Sequence, residues 1–176
     1  MHKLLENKKI VFLDGDGTVW YPEKTKREVA PHWIYGDGET KESFLQHLVI
    51  IPSVVETLKR LKEKNIILIL ISTHPHPQEV ADILLRNTVL HFKLEGLFDE
   101  VYTARDYPDG KGEIIRNVLT VRAIPTNQAI MIGDNYKYDY LSAKKVGVDA
   151  LLMDSKYLNS QGNEVEKIAD LSDLLK

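Results

Sequence analysis

Four short, nearly unbroken apolar runs constrain this chain more than anything else in it: residues 10–13, 66–71, 129–132 and 149–153. A strand with one wet face alternates apolar and polar residues. These runs do not, so they read as strands covered on both faces, as parallel strands are. A weaker strand pattern lies at 100–103. Between the runs, apolar residues recur at helical spacing. Strand and helix alternate from end to end, which predicts an α/β fold: a Rossmann-like three-layer α/β/α sandwich around a mostly parallel sheet.

The helices are expected as follows. Pro52 opens the first, with Val54, Val55, Leu58 and Leu61 on its apolar face. The second covers 78–91 and turns Val80, Ile83, Leu84 and Leu90 to the core. The third starts near Gly112, with Ile114, Ile115, Val118 and Leu119 inward, and Pro125 lies beyond its end. The fourth covers 138–146 and stops at Gly147. The tail, 164–175, spaces Val165, Ile168, Leu171 and Leu175 as a helix that packs back on the rest. Residues 21–50 break the alternation. They are too short for a core of their own, so they read as a small flap after the first strand, and residues 1–176 as one domain.

Composition narrows the chemistry. Of 176 residues, 43% are apolar and 28% charged, the balance of an ordinary globular protein. The net charge of −3 gives no basic footprint, so no nucleic-acid partner is expected. There is no cysteine, which excludes disulfides and thiolate metal sites. A metal would have to be held by Asp, Glu, His or backbone oxygens. Residues 1–9 are charged and lack an apolar signal core, and the run at 66–71 is far too short to span a bilayer. The expectation is a soluble, cytoplasmic domain with no membrane partner.

Two acids, Asp14 and Asp16, follow the first strand directly, separated by Gly15. In open α/β sheets, ligands bind just beyond the carboxyl ends of the strands. Crowded acids repel unless a cation or a proton separates them, which points to a metal. The other strand ends supply Ser72 and Thr73, Lys111 at the start of the third helix, and Gly133-Asp134 with Asp139 five residues on. A parallel sheet brings all of these to one edge. The set suits phosphoryl transfer: a carboxylate attacks phosphorus, a Mg²⁺ ion held by carboxylates offsets the substrate's charge, and Lys111 adds a second positive charge. Ser72 and backbone N–H groups over residues 15–18 would donate to the phosphoryl oxygens, and Gly15 lets the backbone come close.

Asp-Gly-Asp-Gly-Thr at 14–18, Ser72, Lys111 and Gly133-Asp134 with Asp139 resemble, in order and spacing, the four motifs of the haloacid dehalogenase superfamily of phosphohydrolases. The resemblance covers residues 9–153. It implies the fold of that superfamily and a Mg²⁺-dependent phosphatase. Asp14 would be the nucleophile. Asp16 would protonate the leaving oxygen and then activate water. Ser72 and Lys111 would hold the phosphoryl group, with Thr73 beside them. Mg²⁺ would sit on Asp14, the backbone carbonyl of Asp16, and Asp134, with Asp139 acting through water or by orienting Lys111. Trp20 and the Tyr107-Pro108-Asp109-Gly110-Lys111 stretch are similar to the magnesium-dependent phosphatase group, which has a minimal cap. Gly15 departs from the bulkier residues common there and is expected to loosen the turn. A phosphotransferase or mutase using the same aspartyl-phosphate, and a non-catalytic phospho-receiver module, are the alternatives. An open site would admit a phosphorylated small molecule or a phosphoprotein, or be covered by a second copy of the chain in a homo-oligomer.

Other features have plainer readings. Asp37-Gly38 reads as a turn. His74 and His76 stand in a proline-rich loop that reads as a rigid turn at the entrance, not as a metal site. Trp20, Tyr21, Trp33 and Tyr35 form either an aromatic wall or the flap's own core. Tyr136, Tyr138 and Tyr140 alternate and are expected to form no single platform.

Overall fold

The computed structural model describes residues 2–105, 107, 109–158 and 164–176. In chain order the strands and helices are β1 (Ile10–Leu13), β2 (Trp20–Pro22), β3 (Leu48–Ile50), α1 (Val54–Glu63), β4 (Ile67–Ser72), α2 (Gln78–His91), β5 (Glu100–Thr103), α3 (Lys111–Val121), β6 (Ala129–Gly133), α4 (Ser142–Lys145), β7 (Asp149–Met153) and β8 (Lys167–Ile168). Six strands form a parallel sheet in the order β5-β4-β1-β6-β7-β8. β1 lies at its centre, with Leu13 in register with Leu70 on one side and Ile132 on the other. The central strand β1 is unbrokenly apolar because both of its faces are covered. Val11 and Leu13 point into one core with α1, α2 and the C-terminal segment, while Ile10 and Phe12 point into the other with α3 and α4. The expected α/β/α sandwich is therefore present.

Several local expectations are corrected. β4 includes Ser72 as its last residue, one position later than the apolar run alone suggests. α1 begins at Val54, not at Pro52, because Ser53 takes a left-handed conformation (φ 71°) that no helix can include. Thr57 joins Val54, Leu58 and Leu61 in the core, and Val55 is only half-buried. α2 has the predicted bounds but a different inner face: Ala81, Leu85, Thr88 and Val89 are buried, whereas Val80, Ile83 and Leu90 are exposed. Small Ala81 allows a close approach, and the Thr88 hydroxyl is satisfied by the Leu84 carbonyl at 2.9 Å, so the second stripe packs better than its hydropathy implies. The tail is not one helix. It first pairs with the free edge of β7 as β8, then forms a 3-10 turn, Leu171–Leu175, started by a capping box from Asp170 and Asp173. It does pack back, through Ile168, Leu171 and Leu174. The helix expected over 138–146 begins as a π turn, Tyr136–Leu141, before α4.

The flap is a two-stranded antiparallel hairpin, β2 with β3, carrying a 3-10 turn at Pro31–Tyr35 and another at Phe44–His47. Ile34, Tyr35, Phe44 and Leu48 belong to the same apolar cluster as the sheet, so the flap has no separate core. Trp20 and Tyr35 are buried there and form no open wall. Tyr136 and Tyr140 stack with centroids 5.6 Å apart, correcting the expectation that these tyrosines share no face: residues four apart on a helical turn meet. Pro108 of the stretch before α3 lies outside the described residues.

Candidate active site

The carboxyl ends of β1, β4 and β6 and the first residue of α3 meet at one edge of the sheet. Asp14 directly follows β1, its N–H bonded to the Ile132 carbonyl at 2.9 Å. Lys111, the first residue of α3, is 2% exposed, and its ammonium pairs with Asp14 Oδ1 and with Asp139 Oδ1, the latter at 2.6 Å. Burial opposes that charge, but Asp139 and Asp14 outweigh it and raise the lysine's pKa. Asp139 is carried by the π turn. Its second oxygen accepts the Asn135 N–H at 2.8 Å, and the Asn135 side chain caps the turn by accepting from the N–H groups of Lys137 and Tyr138. A π turn places its side chains differently from an α turn, a frequent device at functional sites. Gly133 makes room for it, since a Cβ there would overlap the Asp139 carboxyl.

Asp134 follows β6, and its Oδ2 accepts the hydroxyl of Tyr157. The carboxylates of Asp14, Asp134 and Asp139 each bring one oxygen within 4.8 Å of the others. Burial, then repulsion from Asp14 and Asp139, pushes the Asp134 pKa far above the usual range. Asp139 is raised too, mainly by burial, with Lys111 opposing. Three buried acids share one ammonium, so the cluster fits an added divalent cation with hard oxygen ligands, as Mg²⁺ prefers. Asp14 and Asp134 each keep one oxygen with no hydrogen-bond donor among the described residues, whereas both oxygens of Asp139 are engaged. The free oxygens therefore belong to Asp14 and Asp134, and Asp139 holds Lys111.

Asp16 is 2% exposed and its carboxylate stands apart from this triad. It accepts the Tyr35 hydroxyl with both oxygens (2.9 and 3.0 Å) and the Trp20 indole N–H with Oδ1 (3.1 Å). His32 Nε2 lies 3.9 Å from its other oxygen. Burial raises its pKa, and His32, Tyr35 and Trp20 hold back part of that rise. Gly15 lies against the Trp20 ring. A Cβ there would come within 2.7 Å of the Trp20 ring, so the missing side chain is the space that the indole fills. Tyr35 in turn packs on the His74 ring (4.3 Å), and His74 on His76 (5.0 Å). Burial, helped by His76, His32 and Arg105, lowers the His74 pKa to about 3, which keeps the ring neutral.

Ser72 is 1% exposed and its hydroxyl has no partner among the described residues. Thr73, half-buried, lines a cavity of about 60 Å³ together with Asp14, Lys111, Asp134, Asp139 and His32. Two supports of the site carried no sequence signal. Tyr157 lies 23 residues beyond Asp134 in a 3-10 turn. Tyr35 could be marked as an aromatic flap residue, but nothing local links it to Asp16.

A sequence model of the haloacid dehalogenase-like hydrolases matches residues 13–153. No curated protein matches the chain. Among solved structures, a HAD phosphatase from Thermococcus onnurineus is 20% identical with a TM-score of 0.69, over 94% of this chain and 95% of that one. A haloacid dehalogenase-like family hydrolase from Streptococcus pneumoniae is 18% identical with a TM-score of 0.68, over 97% and 98%. A 2-haloacid dehalogenase from Pseudomonas syringae is 18% identical with a TM-score of 0.66, over 96% of each. These likenesses are of fold, and one fold hosts different reactions, so the chemistry rests on the residues.

Proposed function

This chain belongs to the haloacid dehalogenase-like hydrolase family, and from that premise we propose that it is a Mg²⁺-dependent phosphomonoester hydrolase that works through an aspartyl-phosphate on Asp14. The observation that carries the reading is the buried cluster in which Lys111 pairs with Asp14 and Asp139 while Asp134 crowds the same cavity. Asp14 attacks phosphorus, forming the O–P bond as the bond to the alcohol oxygen breaks. Asp16 gives its proton to that oxygen. Its burial favours the protonated form needed for this step. Asp16, now a carboxylate, then takes a proton from water, which attacks the aspartyl-phosphate, frees phosphate and restores Asp14. Lys111 steadies Asp14 and neutralises phosphoryl oxygens. Ser72 has a free hydroxyl to donate to them, and Thr73 forms the adjoining wall.

Asp14 and Asp134, with the backbone carbonyl of Asp16, would hold Mg²⁺. The ion supplies positive charge where the phosphoryl group and the nucleophile would otherwise repel. Asp16 keeps its carboxyl for proton transfer, consistent with its hydrogen bonds to the flap. The test is hydrolysis of para-nitrophenyl phosphate with Mg²⁺. Asp14→Asn should lower turnover on the order of a thousandfold or more, and EDTA should stop it. Full activity in Asp14→Asn would overturn the assignment. With an added alcohol acceptor, equal release of phosphate and nitrophenol marks hydrolysis, and phosphate appearing on the alcohol marks transfer.

A further inference from the structure

The cavity at Asp14 measures about 60 Å³, well below the roughly 300 Å³ at which small-molecule pockets begin. The alcohol part of any phosphomonoester must lie outside it. Two of its walls, Thr73 and Tyr138, are also walls of a second cavity of about 560 Å³, a size typical of small-molecule sites. That cavity is lined by Arg105, Lys137 and Lys145. None of the three has a carboxylate within ion-pairing distance among the described residues. The one acid among the described residues of the lining, Asp109, is already paired with Arg116 at 3.3 Å. Among the described residues Arg105 donates through Nη1, to the carbonyls of His74 (3.4 Å) and Pro75 (2.6 Å), which fixes its position beside the cavity. The Lys137 ammonium sits over the Tyr138 ring, 5.3 Å from its centroid, at the boundary between the two cavities. An uncharged leaving group gains nothing from three cations that have no carboxylate partner among the described residues, whereas an anionic one is attracted and oriented by them.

We propose that the Arg105–Lys137–Lys145 cavity is a leaving-group subsite, and that the substrate is a small phosphomonoester whose alcohol part carries a second anionic group, a carboxylate or a phosphate. This rests on the phosphatase reading of the Asp14 site and adds the substrate class to it. The phosphoryl group to be cleaved enters past Thr73 and Tyr138 to Asp14, and the second anion stays with the cations.

The experiment compares matched pairs with Mg²⁺: phosphoglycerate against glycerol phosphate for the carboxylate, and a hexose bisphosphate against the hexose monophosphate for the phosphate. At least one anionic member should have a kcat/KM about tenfold or more above its partner, mostly through KM, and the pair that responds identifies the second group. That preference should shrink as salt is raised. Lys137→Gln/Lys145→Gln should reduce it by about two- to fivefold per cation removed, and Arg105→Gln should do the same independently. Turnover of para-nitrophenyl phosphate by each variant checks that the site is intact. If that ester is hydrolysed but neither pair shows a preference, or the preference survives in both variants, the subsite is wrong while the phosphatase reading stands. If no phosphomonoester is hydrolysed, the phosphatase reading fails and the subsite with it.

Discussion

Among the described residues, the Asp134 carboxylate accepts a hydrogen bond from a single hydroxyl. Tyr157 donates to its Oδ2 and Lys111 adds a weaker favourable charge, while burial, Asp14 and Asp139 work against its ionisation. Tyr157→Phe should therefore leave the fold intact and weaken Mg²⁺ binding by roughly tenfold to a hundredfold, as loss of an outer partner of a metal ligand commonly does. Activity titrated against Mg²⁺ would show the midpoint moving up with little change at saturation. An unmoved midpoint would remove Tyr157 from the site. The contrast between Tyr157 and the acids it serves shows what a sequence can display. Asp14, Asp16, Lys111, Asp134 and Asp139 stand at element ends, where strand and helix patterns mark them out. Tyr157 and Tyr35 reach the site from 3-10 turns distant in sequence, and no periodicity connects them to their partners. Ser72 and Thr73 are adjacent and both hydroxylated, so only their different burial separates them.

At the scale of elements, α2 offers the sharpest test. Its sequence holds two apolar stripes, and hydropathy alone favours the one that the fold leaves outside. Leu85→Ala removes a side chain that is 3% exposed and should cost about 2–5 kcal/mol. Ile83→Ala acts on a side chain 62% exposed and should stay within about 0.5 kcal/mol. Urea unfolding of the two variants decides the register, and equal costs would contradict it. The parallel strands were legible because burial on both faces removes alternation. The C-terminal segment was not, because the spacing of Ile168, Leu171 and Leu174 also suits a short edge strand followed by a 3-10 turn. The exposed edge of β7, a property of the assembled sheet, decides between them.

Across the whole molecule, the sheet gathers like charges from distant segments, and folding must bear their repulsion. Asp134 and Asp139 have folded pKa values above those of free carboxylates. Acids raised in this way contribute stability that is complete below the unfolded value of 3.8 and is lost as pH rises through the folded values. A bound divalent cation counters that loss, since it binds the deprotonated acids. The gain in Tm on adding Mg²⁺ should therefore be larger at pH 7.5 than at pH 5. Paired thermal melts at the two pH values measure it, and a gain independent of pH would mean that the acid cluster is not where the ion binds.

The hydrogen bonds of Asp16 tie its carboxyl to a different part of the fold from the other acids. Asp14, Lys111, Asp134 and Asp139 are positioned by the sheet, α3 and the π turn, whereas the carboxyl of Asp16 is gripped by Trp20 and Tyr35 of the hairpin. The nucleophile and the general acid of the proposed mechanism are thus held by different parts of the fold. Under the proposed mechanism, substitutions at Trp20 or Tyr35 would change the demand for a good leaving group more than the grip of Lys111 on Asp14, although His32 of the same flap also lines the Asp14 cavity.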